Sequence, residues 1–189
     1  IEPLLFDLSK KYFDVPDDPR LQNFVEDGRR LLVLSNKKYD LIFSDAYASL
    51  YSTPSHLTTQ EFFTIAKNKL NNNGVFMANV IGSLLPQQES LLLSEIKTFK
   101  SVFENSYFFA VTSLDYKGLQ NIIFIGYNGT NNINLNSQAI KQNENPIISH
   151  LSEKEINTNM FNLSLYPMLT DNFSPIEYLT AKELAESHY

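Results

Sequence analysis

The chain has 189 residues, 43% of them hydrophobic and 19% charged, with a formal net charge of −6 and a pI near 5.0. That length fits one domain with a sizeable core, and the acidic balance argues against a nucleic-acid partner, whose binding rests on Lys and Arg neutralising phosphates. The absence of cysteine excludes disulfides, thiolate zinc sites and cysteine nucleophiles, and three scattered histidines, His56, His150 and His188, offer no histidine-rich centre, so no metal is expected.

Residues 3–13, PLLFDLSKKYF, put Leu4, Leu5, Leu8 and Tyr12 on one face at helical spacing, with Pro3 suited to a first turn. The opening has neither the basic region nor the small-residue cleavage site of a signal peptide. It also lacks an initiator Met, and reads as beginning partway through a larger protein. DVPDDPR is a turn-rich break, and LQNFVED is expected as a short strand ending at Asp27-Gly28. GRRLLVLSN reads as a short helix and YDLIFSD as a buried strand of continuous apolar character. TTQEFFTIAKNKL is an amphipathic helix with Thr58 or Thr59 as cap and Phe62, Ile65, Ala66 and Leu70 on one face. NNNG is a helix stop, and VFMANVI is the next strand.

QQESLLLSEIKTFKSVF then reads as a helix, and SYFFAVTS and QNIIFIGYN as strands. The short LDYKGL connection between these two predicts an antiparallel, hairpin-like edge. Strands alternating with helices of this length predict a mainly parallel α/β sheet. From Asn128 an Asn/Gln-rich polar run is expected as a mobile surface loop, and the final forty or so residues regain apolar spacing and end in a helix. No apolar run reaches the roughly 18 to 20 residues that cross a bilayer, so no membrane contact is expected of this chain; its expected location is cytoplasmic, on the cytoplasmic face if the parent protein is membrane-fused.

In a doubly wound sheet, ligands bind outside the carboxyl ends of the strands. Those ends carry Asp27-Gly28, Asp45 and the segment Asn79 to Gly82. Both aspartates have plainer readings: Asp27 as cap of the helix beginning near Gly28, Asp45 as a turn residue bonding its own loop. His56 reads as a cap or surface residue, and Asp171 and Glu177 in TDNFSPIEYL as structural, with Glu177 able to face a pocket.

IEPLLFDLSKKYFDVPDDPRLQNFVEDGRRLL followed by YDLIFSDAY resembles the segment of spermidine synthases, the polyamine aminopropyltransferases, that begins EIDP and ends YDVIxxDxxD. HLTTQEFFTIAKNKLNNNGVFMANVIG and LTDNFSPIEYL resemble later segments of the same family, closest to the subgroup fused to membrane transporter segments, whose parent proteins carry transmembrane helices. The resemblance implies an α/β, Rossmann-like fold of the S-adenosylmethionine-dependent methyltransferase type: a mostly parallel sheet with an antiparallel edge, its N-terminal strands and glycine-rich loop missing. Residues 1–127 would be the partial domain, 128–147 an Asn-rich loop, and 148–189 an extension packing on the same domain.

It further implies transfer of an aminopropyl group from decarboxylated S-adenosylmethionine (or use of S-adenosylmethionine itself), a co-substrate rather than a tightly bound cofactor, without a metal. Asp45 then matches the general base, Asp27 and Gly28 the adenine contacts, and Glu2 the aspartate of EIDP. Tyr47 and Tyr116 match residues near the amine, with a plain loop tyrosine as the other reading of Tyr116. The implied partner is a polyamine or other amine, and the implied assembly a homodimer. Two departures stand out: the second aspartate of DxxD falls on Ala48, and the ribose-holding acid falls just before Ile1. Ala48 favours an alternative, a methyltransferase with another substrate. If the chain is complete, the absent glycine loop favours a non-catalytic nucleoside-binding or assembly domain.

Overall fold

Among the described residues, the apolar runs between Tyr39 and Tyr127 assemble into one sheet of four strands: β1 (Tyr39–Ser44), β2 (Leu70–Ser83), β3 (Asn105–Ala110) and β4 (Leu119–Tyr127). The structure, a computed structural model, describes residues 3–46, 54–85 and 88–186. The strand order is β1-β2-β4-β3. β1 and β2 are parallel, and β4 is antiparallel to both β2 and β3. Three strands therefore point one way and β4 runs against them. The β3–β4 hairpin follows from its short connection, but the antiparallel strand lies one place in from the margin and β3 is the edge.

Two helices cover one face. Thr59 caps α3 (Gln60–Asn68) by accepting from the Phe62 amide at 3.3 Å, and Ser90 caps α4 (Leu91–Val102) by accepting from the Leu93 amide at 3.2 Å. Their inner sides meet Phe76, Ala78, Val80, Phe108, Ile122 and Phe124, all buried. Seven phenylalanines interlock there, with Phe99 at the centre against Phe63, Phe76, Phe103, Phe108 and Phe124 at ring separations of 4.8 to 5.8 Å. Each such buried side chain contributes about 1.5–3 kcal/mol, which makes this face the centre of stability.

The opposite face is barer. Leu41 and Phe43 of β1 are 54% and 52% exposed, so YDLIFSD is not the fully buried strand its composition predicts. Alternate residues of a strand face opposite ways, and α3 and α4 cover only one of them. NNNG is also corrected: α3 ends at Asn68, and Asn71–Gly74 form an irregular entry to β2, with Asn73 left-handed at φ 64° and a register shift between Tyr39 and Leu41. The polar run from Asn128 is no featureless loop. It holds a buried Leu135 and two short helices, α5 (Gln138–Lys141) and α6 (Pro146–Ser149).

After these, the Ile156 amide donates to the Phe108 carbonyl at 2.7 Å, fastening the chain to β3. The last helix, α7 (Ile176–Glu186), packs against α4 through Leu91, Leu169, Ile176 and Leu179. Asp171 accepts from the Thr59 hydroxyl at 2.7 Å while its own amide donates to Glu61 at 3.0 Å, clipping the LTD segment to the start of α3. Glu177 is exposed.

The contacts divide the chain into two units, residues 1–36 and 37–189. The first contains α1 (Leu4–Phe13) and α2 (Gly28–Leu34), neither with a buried residue. Leu21–Val25 form no strand, contrary to the expectation, and Leu21, Phe24 and Val25 are exposed. A strand needs a neighbour to bond its backbone, and none pairs with this segment among the described residues. No described helix is long and apolar enough to cross a membrane.

Candidate functional site

Asp45 directly follows β1, at the carboxyl end of a strand whose parallel neighbour is β2. The register pairs Ser44 with Ala78, so the next residues along, Asp45 and Asn79, fall side by side. Asp45 is exposed, and its Oδ1 accepts from Nδ2 of Asn79 at 3.1 Å. The Asn79 Oδ1 is buried and has no hydrogen-bond partner among the described residues.

The other elements ending here converge on the same end of the sheet. β4 starts at Leu119 opposite Ser83, the last residue of β2, which puts the 111–118 connection and its Tyr116 beside the carboxyl end of β2. Tyr116 is 45% exposed. Its loop is shaped by Gln120, a buried side chain whose Oε1 accepts from the Thr112 and Ser113 amides at 2.9 and 3.2 Å and whose Nε2 donates to the Ser113 carbonyl at 2.9 Å. Ser83 ties the loop to α7. Its amide donates to the buried Glu183 carboxylate at 2.7 Å and its hydroxyl donates to the Lys117 carbonyl at 2.7 Å. Nothing in the local sequence announces Glu183 as an organiser, because it acts on a backbone amide far from it in the chain, whereas Gln120 acts on the loop that immediately precedes it.

Asp27 and Gly28 belong to the first unit. The Asp27 side chain accepts from the Arg30 amide at 2.9 Å as cap of α2, the plainer of its two expected roles. A Cβ at Gly28 would meet nothing within 4 Å, so the backbone itself does not demand glycine there. Glu2, Tyr47 and Ala48 lie outside the described residues. His56 sits exposed in a short turn of helix, Ser55–Leu57, ahead of α3. A separate apolar cleft of about 510 Å³ opens between β3, β4 and the Pro146–Lys154 segment, lined by Met77, Phe109, Ile123, Ile125, Ile147 and Leu151 among others. Neither Asp45 nor Tyr116 lines it. Its lining includes no carboxylate among the described residues.

Comparison with known proteins is in accord with this architecture. The profile of the spermine/spermidine synthase domain matches residues 1–137. A probable polyamine aminopropyl transferase of Bifidobacterium longum (strain NCC 2705) is 35% identical over 105 residues, 56% of this chain and 23% of that protein. The polyamine aminopropyltransferase of Buchnera aphidicola subsp. Acyrthosiphon pisum (strain Tuc7) is 26% identical over 171 residues, 88% of this chain and 56% of that protein. The crystal structure of a probable spermidine synthase from Corynebacterium glutamicum ATCC 13032 superposes with a TM-score of 0.62 at 29% identity, covering 74% of this chain and 49% of the other. The chain thus spans about half or less of the length of these relatives. With the profile running from α1 through β4 and the fold shared with a solved relative, the chain belongs to the spermine/spermidine synthase family.

Proposed function

We propose that the protein containing this chain transfers an aminopropyl group from decarboxylated S-adenosylmethionine to an amine, with Asp45 as general base. The observation that carries the reading is an exposed carboxylate at the carboxyl end of β1, in a chain of this family. A primary amine attacks the aminopropyl carbon next to the sulfonium. The new C–N bond forms as the C–S bond breaks, its electron pair stays on sulfur, and methylthioadenosine leaves. The proton lost by the amine passes to the Asp45 carboxylate. Because the sulfonium is already a good leaving group, alignment and desolvation of the amine supply most of the acceleration.

In this reading Asp27 and Gly28 contact the adenine and Glu2 contributes to the nucleoside site. A carboxylate has acceptor capacity for more than one N–H, so capping α2 and binding adenine are compatible roles for Asp27. Tyr116 and Tyr47 border the amine, and the net charge of −6 suits a cationic substrate. The protein acts in the cytoplasm as a homodimer. Replacing Asp45 with Asn should abolish transfer to putrescine in the natural protein containing this chain, read as methylthioadenosine release. Unchanged turnover would exclude Asp45 as the base.

A further inference from the structure

We propose that Asn79 is a positioning residue for Asp45: its amide N–H holds Oδ1 of the carboxylate and leaves Oδ2 as the oxygen that takes the amine's proton. The proposal rests on the reading of Asp45 as the base. Its geometry comes from the two strands. Asn79 lies within β2, bonded on one side to β1 and on the other to β4, where it sits opposite Ile123. Asp45 lies one residue past the end of β1 and is exposed. A side chain on a doubly paired strand thus fixes one that its own strand no longer holds.

Asn79 is also out of place for packing. Its neighbours on the same face of β2 are Met77 and Ile81, and Ile123 stands opposite. An aliphatic side chain would satisfy that apolar surface, whereas the asparagine leaves a buried Oδ1 without a partner among the described residues. Such orphaned acceptors are rare and call for a reason. Turning the amide over would set its oxygen against the Asp45 carboxylate, two acceptors face to face. The 3.1 Å bond from Nδ2 to Oδ1 is therefore the one arrangement that serves an ionised Asp45. The orphaned oxygen is its consequence.

The test combines kinetics with a signal from the amide itself. In the natural protein containing this chain, Asn79→Leu should lower kcat for aminopropyl transfer by about ten- to a hundredfold, with KM for both substrates within about twofold. Asn79→Gln, which keeps a donor on a longer arm, should recover part of the loss. In the 15N-labelled chain, the Asn79 side-chain NH2 pair should shift on Asp45→Ala, a substitution at an exposed position. An unshifted NH2 pair overturns the proposal even if Asn79→Leu fails to fold. Full kcat in a folded Asn79→Leu protein, or a loss carried by KM alone, also overturns it, and the base assignment then stands if Asp45→Asn is inactive. If Asp45→Asn stays active, the base assignment fails and this proposal fails with it.

Discussion

Gly126 offers the sharpest test of how the sheet is packed. It lies in β4 between Phe76 of β2 and Ser106 of β3, and a Cβ built there would stand 2.5 to 2.9 Å from three ring carbons of Phe103. Carbon atoms rest at about 3.5–4.0 Å, so the ring must retreat by about 1 Å. It has nowhere to go: Phe103 is fully buried, stacked on Phe99 at 4.8 Å and on Phe76 at 5.7 Å. Overpacking of this kind costs about 1–3 kcal/mol, and the lower unfolded-state entropy of alanine returns about 0.5–1 kcal/mol. Gly126→Ala should therefore destabilise by about 1 kcal/mol, a fall in Tm of about 2–4 °C for a chain of this size, with the urea midpoint lowered by about 0.5 M. Phe103→Leu removes the ring that the methyl meets. The double variant should then be more stable than the sum of the single losses by about 1 kcal/mol or more. A neutral Gly126→Ala, or single effects that add to within about 0.5 kcal/mol, would refute the steric account.

Three further outcomes follow from the same structure. Asp171→Ala should cost about 1–2 kcal/mol in thermal unfolding, because it strips the acceptor from the buried hydroxyl of Thr59 at the start of α3, and Asp171→Asn should restore most of it. Burial raises the Glu155 carboxyl above its ordinary value, so the fold favours its neutral form, and this group's contribution to stability declines as pH rises from the ordinary glutamate value through the raised one. Glu155→Gln should thus gain on the unsubstituted chain above that window, by no more than about 0.5 kcal/mol, and show no gain below it. Residues 1–189 alone should bind decarboxylated S-adenosylmethionine or methylthioadenosine weakly in isothermal titration, since the unit carrying Asp27 buries none of its helical residues. Micromolar affinity would contradict this.

Local chemistry was readable from the residues where it decides the structure by itself. Thr59 ahead of an amphipathic run caps α3, Asp27 ahead of Gly28 caps α2, and the short connection around Tyr116 forces β3 and β4 to pair antiparallel. What could not be read depends on neighbours. Leu21–Val25 has strand composition but pairs with no other strand among the described residues, and YDLIFSD reads as buried because apolar composition does not tell how many layers cover a sheet. The bond between Asn79 and Asp45 spans 34 residues and exists only because β1 and β2 pair in one register. Slipping that register by a single residue would turn Asn79 to the other face.

One signal for it was nonetheless present in VFMANVI, where a polar amide occupies an apolar face. Natural sequences are locally consistent with their folds except where function intrudes. A lone asparagine between Met77 and Ile81, one strand away from an aspartate at a strand end, is such an exception. It could be recognised only after the register brought the two side chains together. In the proposed mechanism the sheet therefore does more than carry the base: through Asn79 it would select which oxygen of Asp45 faces the amine.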